Sequence, residues 1–163
     1  RVSFVGILLS IFSGQVFALT PTFTVLQEIN FGIVLPEPGS CRMIASTGAI
    51  GSFSGTNICI LTDDAQNGRY TIVGDPNIIY RVKVLPDQDN GDNIVFNPYI
   101  ELVSDGFVKV IISNNVGYKT IDSGPDGIVD LYLGGDLILD SSFSSNQTFI
   151  FSFVDAIEWS ENP

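Results

Sequence analysis

Residues 79–85 read Ile79-Tyr80-Arg81-Val82-Lys83-Val84-Leu85, and this stretch decides the fold class. From Tyr80 to Val84, apolar and cationic side chains alternate. Because successive side chains of a β-strand point to opposite faces, the alternation predicts a strand with one buried and one solvated face. A run of β-branched and aromatic residues, 69–73, comes before it and ends at Gly74-Asp75-Pro76-Asn77, which is typical of a turn. We therefore expect the chain to turn there and return as a second strand.

Strand and turn patterns of the same kind continue in both directions from this stretch. Further strands are predicted over residues 23–28, 107–112, 128–133, 137–139 and 148–154. Gly134-Gly135-Asp136 separates two of them, and a glycine pair supplies the positive φ that a tight hairpin needs. No stretch shows a sustained helical stripe. The residues therefore predict an all-β protein, either a sandwich or a barrel.

The first 18 residues have the pattern of an export signal. Residues 2–12 form an apolar core that is too short to span a bilayer as a helix. Val16-Phe17-Ala18 follows and ends on the small residue that suits signal peptidase. We predict a signal peptide over residues 1–18, a single domain over residues 19–163, export from the cytoplasm, and no membrane insertion after cleavage. The alternatives for residues 1–18 are a buried strand and a retained anchor.

The charge balance excludes two classes of partner. The chain has 7 basic and 18 acidic residues, and its formal net charge is −11. Nucleic acids and anionic membrane surfaces are bound by clustered Lys and Arg, which this composition does not favour. We therefore expect neither partner.

The residue inventory also argues against catalysis. The chain contains no histidine, so it cannot build a Ser-His-Asp or Cys-His apparatus or a His-ligated zinc site. A pair of carboxylates could serve a glycosidase, but each Asp or Glu lies in a context typical of a loop. We predict that the protein is not an enzyme and has no cofactor.

Two acidic segments raise the question of calcium. Asp87-Gln88-Asp89-Asn90-Gly91-Asp92 clusters hard oxygen ligands, but it fails the EF-hand pattern because Gly91 occupies a ligand position and no Glu closes the loop. Asp122, Asp126 and Asp130 straddle a turn and the start of a strand. We interpret both segments as solvated turns and predict no metal site, while calcium at Asp87–Asp92 stays open as an alternative.

The two cysteines, Cys41 and Cys59, indicate a disulfide. An even cysteine count in a chain bound for an oxidising compartment favours a bridge. The segment between them contains Gly48, Gly51 and Gly55, so we expect the flanking stretches 41–46 and 56–61 to fold back as antiparallel neighbours. The chain has no Cys-x-x-Cys pair, which argues against a redox or metal role.

The order of these motifs resembles a known family. The motifs are Asn30-Phe31-Gly32 followed by Pro36, Gly68-Arg69-Tyr70-Thr71-Ile72-Val73-Gly74, Tyr80-Arg81-Val82-Lys83-Val84-Leu85-Pro86, and Gly127-Ile128-Val129-Asp130-Leu131-Tyr132-Leu133-Gly134-Gly135-Asp136-Leu137. Residues 19–163 are similar to the bacterial secreted family catalogued as domain of unknown function 4402. The resemblance implies an immunoglobulin-like, Greek-key antiparallel β-sandwich, similar to pilin and spore-coat-U-type subunits. It departs from the family at Ser141 to Gln147, where the family has Pro-Gly-x-Tyr-x-Gly.

Three functions follow as hypotheses. The favoured one is a secreted structural or adhesive surface module that pairs strands with other copies or other surface subunits. The segment Phe23 to Ile29 could be donated to a neighbour, but we expect it to complete its own sheet. The second is a carbohydrate- or ligand-binding module, with exposed aromatic residues as candidates: Tyr99, Tyr118, Tyr132 and Trp159. The third is an enzyme of unrecognised type.

Overall fold

The computed structural model describes residues 19–60, 63–85, 94–112, 117–142, 147–151 and 156–162. All regular structure in these ranges is β-strand. The strands are β1 (Thr22–Gln27), β2 (Ile29–Val34), β3 (Gly39–Met43), β4 (Ile50–Ser52), β5 (Cys59–Ile60), β6 (Gly68–Val73), β7 (Ile79–Val84), β8 (Ile94–Ser104), β9 (Phe107–Ile112), β10 (Lys119–Asp122), β11 (Ile128–Leu139), β12 (Gln147–Phe151) and β13 (Ile157–Glu161). In the described part of the chain, no helix is long and apolar enough to cross a membrane. The predicted signal at 1–18 and the acidic segment Asp87–Asp92 lie outside the described residues.

The strands form three antiparallel sheets around one hydrophobic core. The largest sheet contains seven strands, which are β1, β3, β4, β6, β8, β9 and β11. A second sheet has the order β10-β7-β13, and a third has the order β12-β2-β5. Each sheet contributes to the core, for example through Leu131, Tyr80 and Phe31 respectively. This arrangement is consistent with a β-sandwich, and the all-β prediction is confirmed.

Strand β7 shows the face pattern that its sequence predicts. Tyr80, Val82 and Val84 are buried, whereas Arg81 and Lys83 lie on the solvated face. The alternation follows from the two-residue period of a strand that is wet on one side.

The expected return after residues 74–77 takes a different form. β6 pairs with β1 and β11 in the large sheet, whereas β7 pairs with β10 and β13 in the second sheet. Because both edges of β6 are already paired, β7 cannot lie beside it. The turn therefore carries the chain from one sheet to another.

The predicted hairpin at Gly134-Gly135 is wrong, because β11 runs through both glycines without a turn. One edge of β11 pairs with β6 as far as Leu133 and with β3 from Gly135 onwards. Gly134 lies where the two partners meet, and a Cβ there would come within 2.6 Å of the Ala45 nitrogen. At Gly135 a Cβ would come within 2.6 Å of the Phe96 ring and of the Asn97 carbonyl oxygen, both in β8 on the other edge of β11. Gly134 therefore allows β3 and β6 to share one edge of β11, and Gly135 allows the close approach of β8 on the other.

The Cys41–Cys59 disulfide is present, with 5.9 Å between the two Cα atoms. The expected pairing of the flanking stretches is wrong, because β3 pairs with β4 and β5 pairs with β2. β3 belongs to the seven-stranded sheet and β5 to the sheet formed with β2 and β12. The disulfide therefore joins two sheets across the core, where both cysteines are buried.

Two tyrosines make stability sensitive to alkaline pH. Burial raises the pKa of Tyr70, as does the nearby Glu28 carboxylate, and burial also raises the pKa of Tyr99. Unfolded tyrosines ionise near pH 10, while these two keep their protons in the folded state. Their contribution to stability is therefore complete below about pH 10 and is lost above it. We expect the urea midpoint to fall above pH 10, and to fall less steeply for Tyr70→Phe. Equal slopes for the two proteins would contradict this assignment.

Candidate functional site

Strand β1 lies at one edge of the seven-stranded sheet. It pairs antiparallel with β6, from Thr22 opposite Val73 to Val25 opposite Tyr70, and no other described strand pairs with it. Phe23 points inward and stacks on Tyr70, with 5.7 Å between ring centroids. Leu26 is 55% exposed. β1 therefore completes its own sheet, and none of the described strands occupies its second edge.

Strand β9 lies at the opposite edge of the same sheet. It forms a hairpin with β8 through Asp105 and Gly106, whose φ angles of 46° and 78° are those of a type I′ turn. β8 is its partner, and the described residues provide no second one. Phe107 is 67% exposed and Val108 is 58% exposed. An open edge with apolar side chains can accept a strand from another chain.

The structure does not bring the four aromatic candidates together. Tyr99 and Tyr132 belong to β8 and β11 of the large sheet, on the face opposite the buried leucines of β11. Trp159 belongs to the second sheet and packs on Phe23 and Tyr80, with centroid distances of 6.1 and 6.2 Å. Trp159 therefore packs against the core and is not a free platform for a sugar ring.

Tyr118 is the most exposed of these aromatic side chains that the structure places, at 44%. Arg81 and Lys83 lie 5.0 and 5.8 Å from its ring centroid. Its hydroxyl donates to the Glu158 carboxylate at 2.9 Å. Residues of β7 and β13 therefore occupy both the ring and the hydroxyl, so a ligand would have to displace these contacts.

Tyr99 stabilises the place on β11 where the pairing with β6 ends and the pairing with β3 begins. Its hydroxyl donates to the Met43 carbonyl at 2.9 Å and accepts from the Ala45 amide at 3.0 Å. Asn67 donates to the Ala45 carbonyl, which adds a further bond at the same place. The hydroxyl thus bonds two backbone groups at the point where the pairing of β3 with β11 ends, which is Met43 opposite Gly135.

Replacing Tyr99 by Phe is therefore expected to lower the free energy of unfolding by about 1–3 kcal/mol, since two backbone groups lose their partner. Urea denaturation measures the loss. Tyr118→Phe is the matched control, because its hydroxyl bond is exposed, and a change within about 0.5 kcal/mol is expected. Equal losses for the two variants would contradict the role given to Tyr99.

Acidic side chains surround a crevice between the β8–β9 turn and the loop before β11. The crevice has a volume of about 210 Å³ and is lined by residues that include Asp105, Asp126 and Asp130. Asp122 lies outside it and accepts a hydrogen bond from the Gly124 amide at 2.8 Å, as a turn residue does. Over the described ranges, no three acidic or cysteine side chains are placed to hold a metal ion.

Sequence reasoning missed a cleft beside the disulfide. It measures about 340 Å³, and its lining includes Phe53, Ser54 and Asp140. Phe53 is 42% exposed, and the Arg42 guanidinium lies 4.4 Å from its ring centroid. Arg42 is held by two hydrogen bonds to Asp136 at 2.5 and 2.8 Å. The cleft offers apolar and polar contacts to a small ligand. Arg42 occupies part of the Phe53 ring, as Arg81 and Lys83 occupy that of Tyr118, so a ligand would share the ring with Arg42 or displace it.

Comparison of the chain with models of protein families, with curated proteins and with solved structures gave no match.

Proposed function

We propose that the protein is an exported, non-catalytic structural or adhesive module of a bacterial surface, with an immunoglobulin-like, pilin-like sandwich. The signal pattern at 1–18 and the family resemblance support export and this fold, and the disulfide is compatible with both. The observation that carries the function is a pair of sheet edges that no other described strand occupies, β1 on one side and β9 on the other. Exposed apolar residues at each edge favour pairing with other copies or with other surface subunits.

In this proposal, copies meet edge to edge. Each copy keeps β1 in its own sheet, where Phe23 is stacked on Tyr70. If β1 were donated to another copy, Tyr70 would lose its contact with Phe23, and β6 would lose one of its two neighbouring strands. Edge pairing needs no such rearrangement, and it supplies backbone hydrogen bonds to the free side of β9.

The mass of purified residues 19–163, measured by light scattering over a range of concentrations, tests this assembly. We expect association that Val108→Lys weakens at least tenfold, because a charge at the edge opposes strand pairing. Ile79→Lys is the matched control. It is 43% exposed, but it lies in β7, which is paired on both sides. A monomer at all concentrations, or equal effects of the two variants, would contradict edge pairing.

Export is tested separately with the full chain in a bacterial host. We expect the protein in the periplasm or the medium, with Leu19 as its first residue and a closed Cys41–Cys59 bond. Protein that stays in the cytoplasm at its full mass would contradict export.

The Phe53 cleft favours carbohydrate binding as a second candidate function. Aromatic rings bind the apolar faces of sugars, and Asp140 and Ser54 can accept or donate hydrogen bonds beside the ring. On a glycan array we expect Phe53→Ala to lose binding that Tyr118→Ala retains. Absence of binding by the parent protein would remove this candidate.

A further inference from the structure

The nitrogen of Leu19 contacts both oxygens of one carboxylate. It lies 3.1 Å from Oδ1 and 3.0 Å from Oδ2 of Asp75. In an uncleaved chain this nitrogen belongs to a peptide bond and carries a single hydrogen, which the two oxygens must share. An ammonium group carries three hydrogens and can give each oxygen a bond of its own, strengthened by charge. The contact therefore suits a chain end better than an internal peptide.

The backbone of the loop that carries Asp75 is held by the loop between β10 and β11. The Ser123 hydroxyl donates to the Asp75 carbonyl at 3.0 Å, and the Gly74 amide donates to the Gly127 carbonyl at 2.9 Å. Pro21 packs on Gly74, where an added Cβ would lie 3.2 Å from the proline Cβ. Separate contacts therefore position Pro21 and the backbone that carries the Asp75 carboxylate.

Asp75 also has a charge that the described residues leave unneutralised. It is half-buried, and the ion pairs found in the described ranges are Arg42–Asp136 and Lys83–Glu158. A positive charge at Leu19 would give this carboxylate a partner at hydrogen-bonding distance.

We propose that the Asp75 carboxylate binds the α-ammonium group that forms when a signal peptidase cleaves between Ala18 and Leu19. This inference rests on the proposed export. In the cleavage, water adds across the Ala18–Leu19 peptide bond. The new carboxylate leaves with residues 1–18, and the amine on Leu19 takes up the released proton to become the ammonium. The resulting ion pair fastens β1, an edge strand, to the loop between β6 and β7.

The arrangement specifies the cleavage position. One extra residue would move the terminal charge by about 3.3 Å along the chain, beyond bonding distance of Asp75. The Leu19 backbone amide could then still donate a hydrogen bond to Asp75, but the ionic interaction with the terminal ammonium would be lost. A correct and an incorrect cut therefore give proteins that differ in stability.

A double-mutant cycle tests the proposal with chains released from a fusion protein by a sequence-specific protease. One chain begins at Leu19 and the other at Ala18, and each is made with Asp75 and with Asp75→Asn. At pH 6 and low salt, we expect Asp75→Asn to lower Tm by about 2–4 °C more in the Leu19 chain than in the Ala18 chain. Enzymatic acetylation of the Leu19 α-amine, which leaves the lysine side chains unmodified, should give a loss of the same size.

Equal losses in both chains, or no effect of acetylation, would overturn the proposal. Since these chains are cut in vitro, the cycle gives its answer whether or not cells export the protein. Sequencing the first residues of exported protein tests whether cleavage in cells occurs between Ala18 and Leu19. A start at any residue other than Leu19 would overturn the assignment of Asp75 as the group that binds the natural terminal ammonium.

Discussion

Gly134→Ala is expected to lower the free energy of unfolding by about 3 kcal/mol. The new Cβ would lie 2.6 Å from the Ala45 nitrogen and 2.9 Å from its Cα, and it would also meet the Met43 carbonyl oxygen. All three are backbone atoms of the segment that leaves β11, so no side-chain rotation can relieve the overlap. β3 would have to move away from β11 at the point where Tyr99 holds it. Urea denaturation of the oxidised protein measures the change.

Gly51→Ala is the matched control for this substitution. Gly51 lies in β4, and a Cβ there would meet no atom within 4 Å. We expect its unfolding free energy to rise by less than about 1 kcal/mol, because alanine restricts the unfolded chain. Similar losses at both glycines would show that Gly134 is not needed for the junction.

Loss of the disulfide is the second large effect. The double variant Cys41→Ala/Cys59→Ala is expected to lose about 3 kcal/mol of stability in the chain-entropy account of a loop of this length. The bond joins β3 to β5, so its removal also frees two sheets to separate in the unfolding reaction. Guanidinium denaturation of the double variant and of the parent protein gives the difference.

Reductant supplies the control for that measurement. The parent protein should lose a similar amount of stability when it is reduced, and the double variant should be insensitive to reductant. If both cysteines of exported protein react with an alkylating reagent without reduction, the bond does not form in the cell and the expected loss is wrong.

Local sequence predicted the strands whose two faces differ. β7 is the clearest case, because Arg81 and Lys83 alternate with valines and so identify its solvated face. β8 was missed because Pro98 interrupts its apolar pattern, and proline usually argues against a strand with partners on both sides. In the structure, Pro98 lies opposite Gly135, beside the irregular centre of β11.

Long-range pairing accounts for the errors. A glycine pair beside an aspartate has the local signature of a hairpin. The need for a glycine at position 134 becomes clear only when β3 and β6 are seen to meet on β11. The disulfide followed from cysteine count and compartment, but its position between two sheets depends on the partners of β3 and β5. Neither sequence spacing nor composition reports those partners.

The candidate sites were less predictable than the strands. Phe53 sits in a Gly/Ser-rich bend, where an isolated aromatic residue carries no periodic signal. The Leu19–Asp75 contact joins residues 56 positions apart, and no pattern in either segment indicates the other. The aromatic candidates chosen from the sequence were selected by type alone, which cannot separate the packed Trp159 from an exposed ring.

The position of β11 along the chain has a consequence for biogenesis. This strand ends at Leu139, yet it is the common partner of β3, β6 and β8, all of which are synthesised earlier. As the ribosome releases the chain from its amino end, these strands have no central partner until β11 emerges. The seven-stranded sheet therefore cannot be completed before β11 emerges, although the pairs β1–β6, β3–β4 and β8–β9 precede it in the sequence. A sheet whose central strand is added last, through distant pairings, forms slowly.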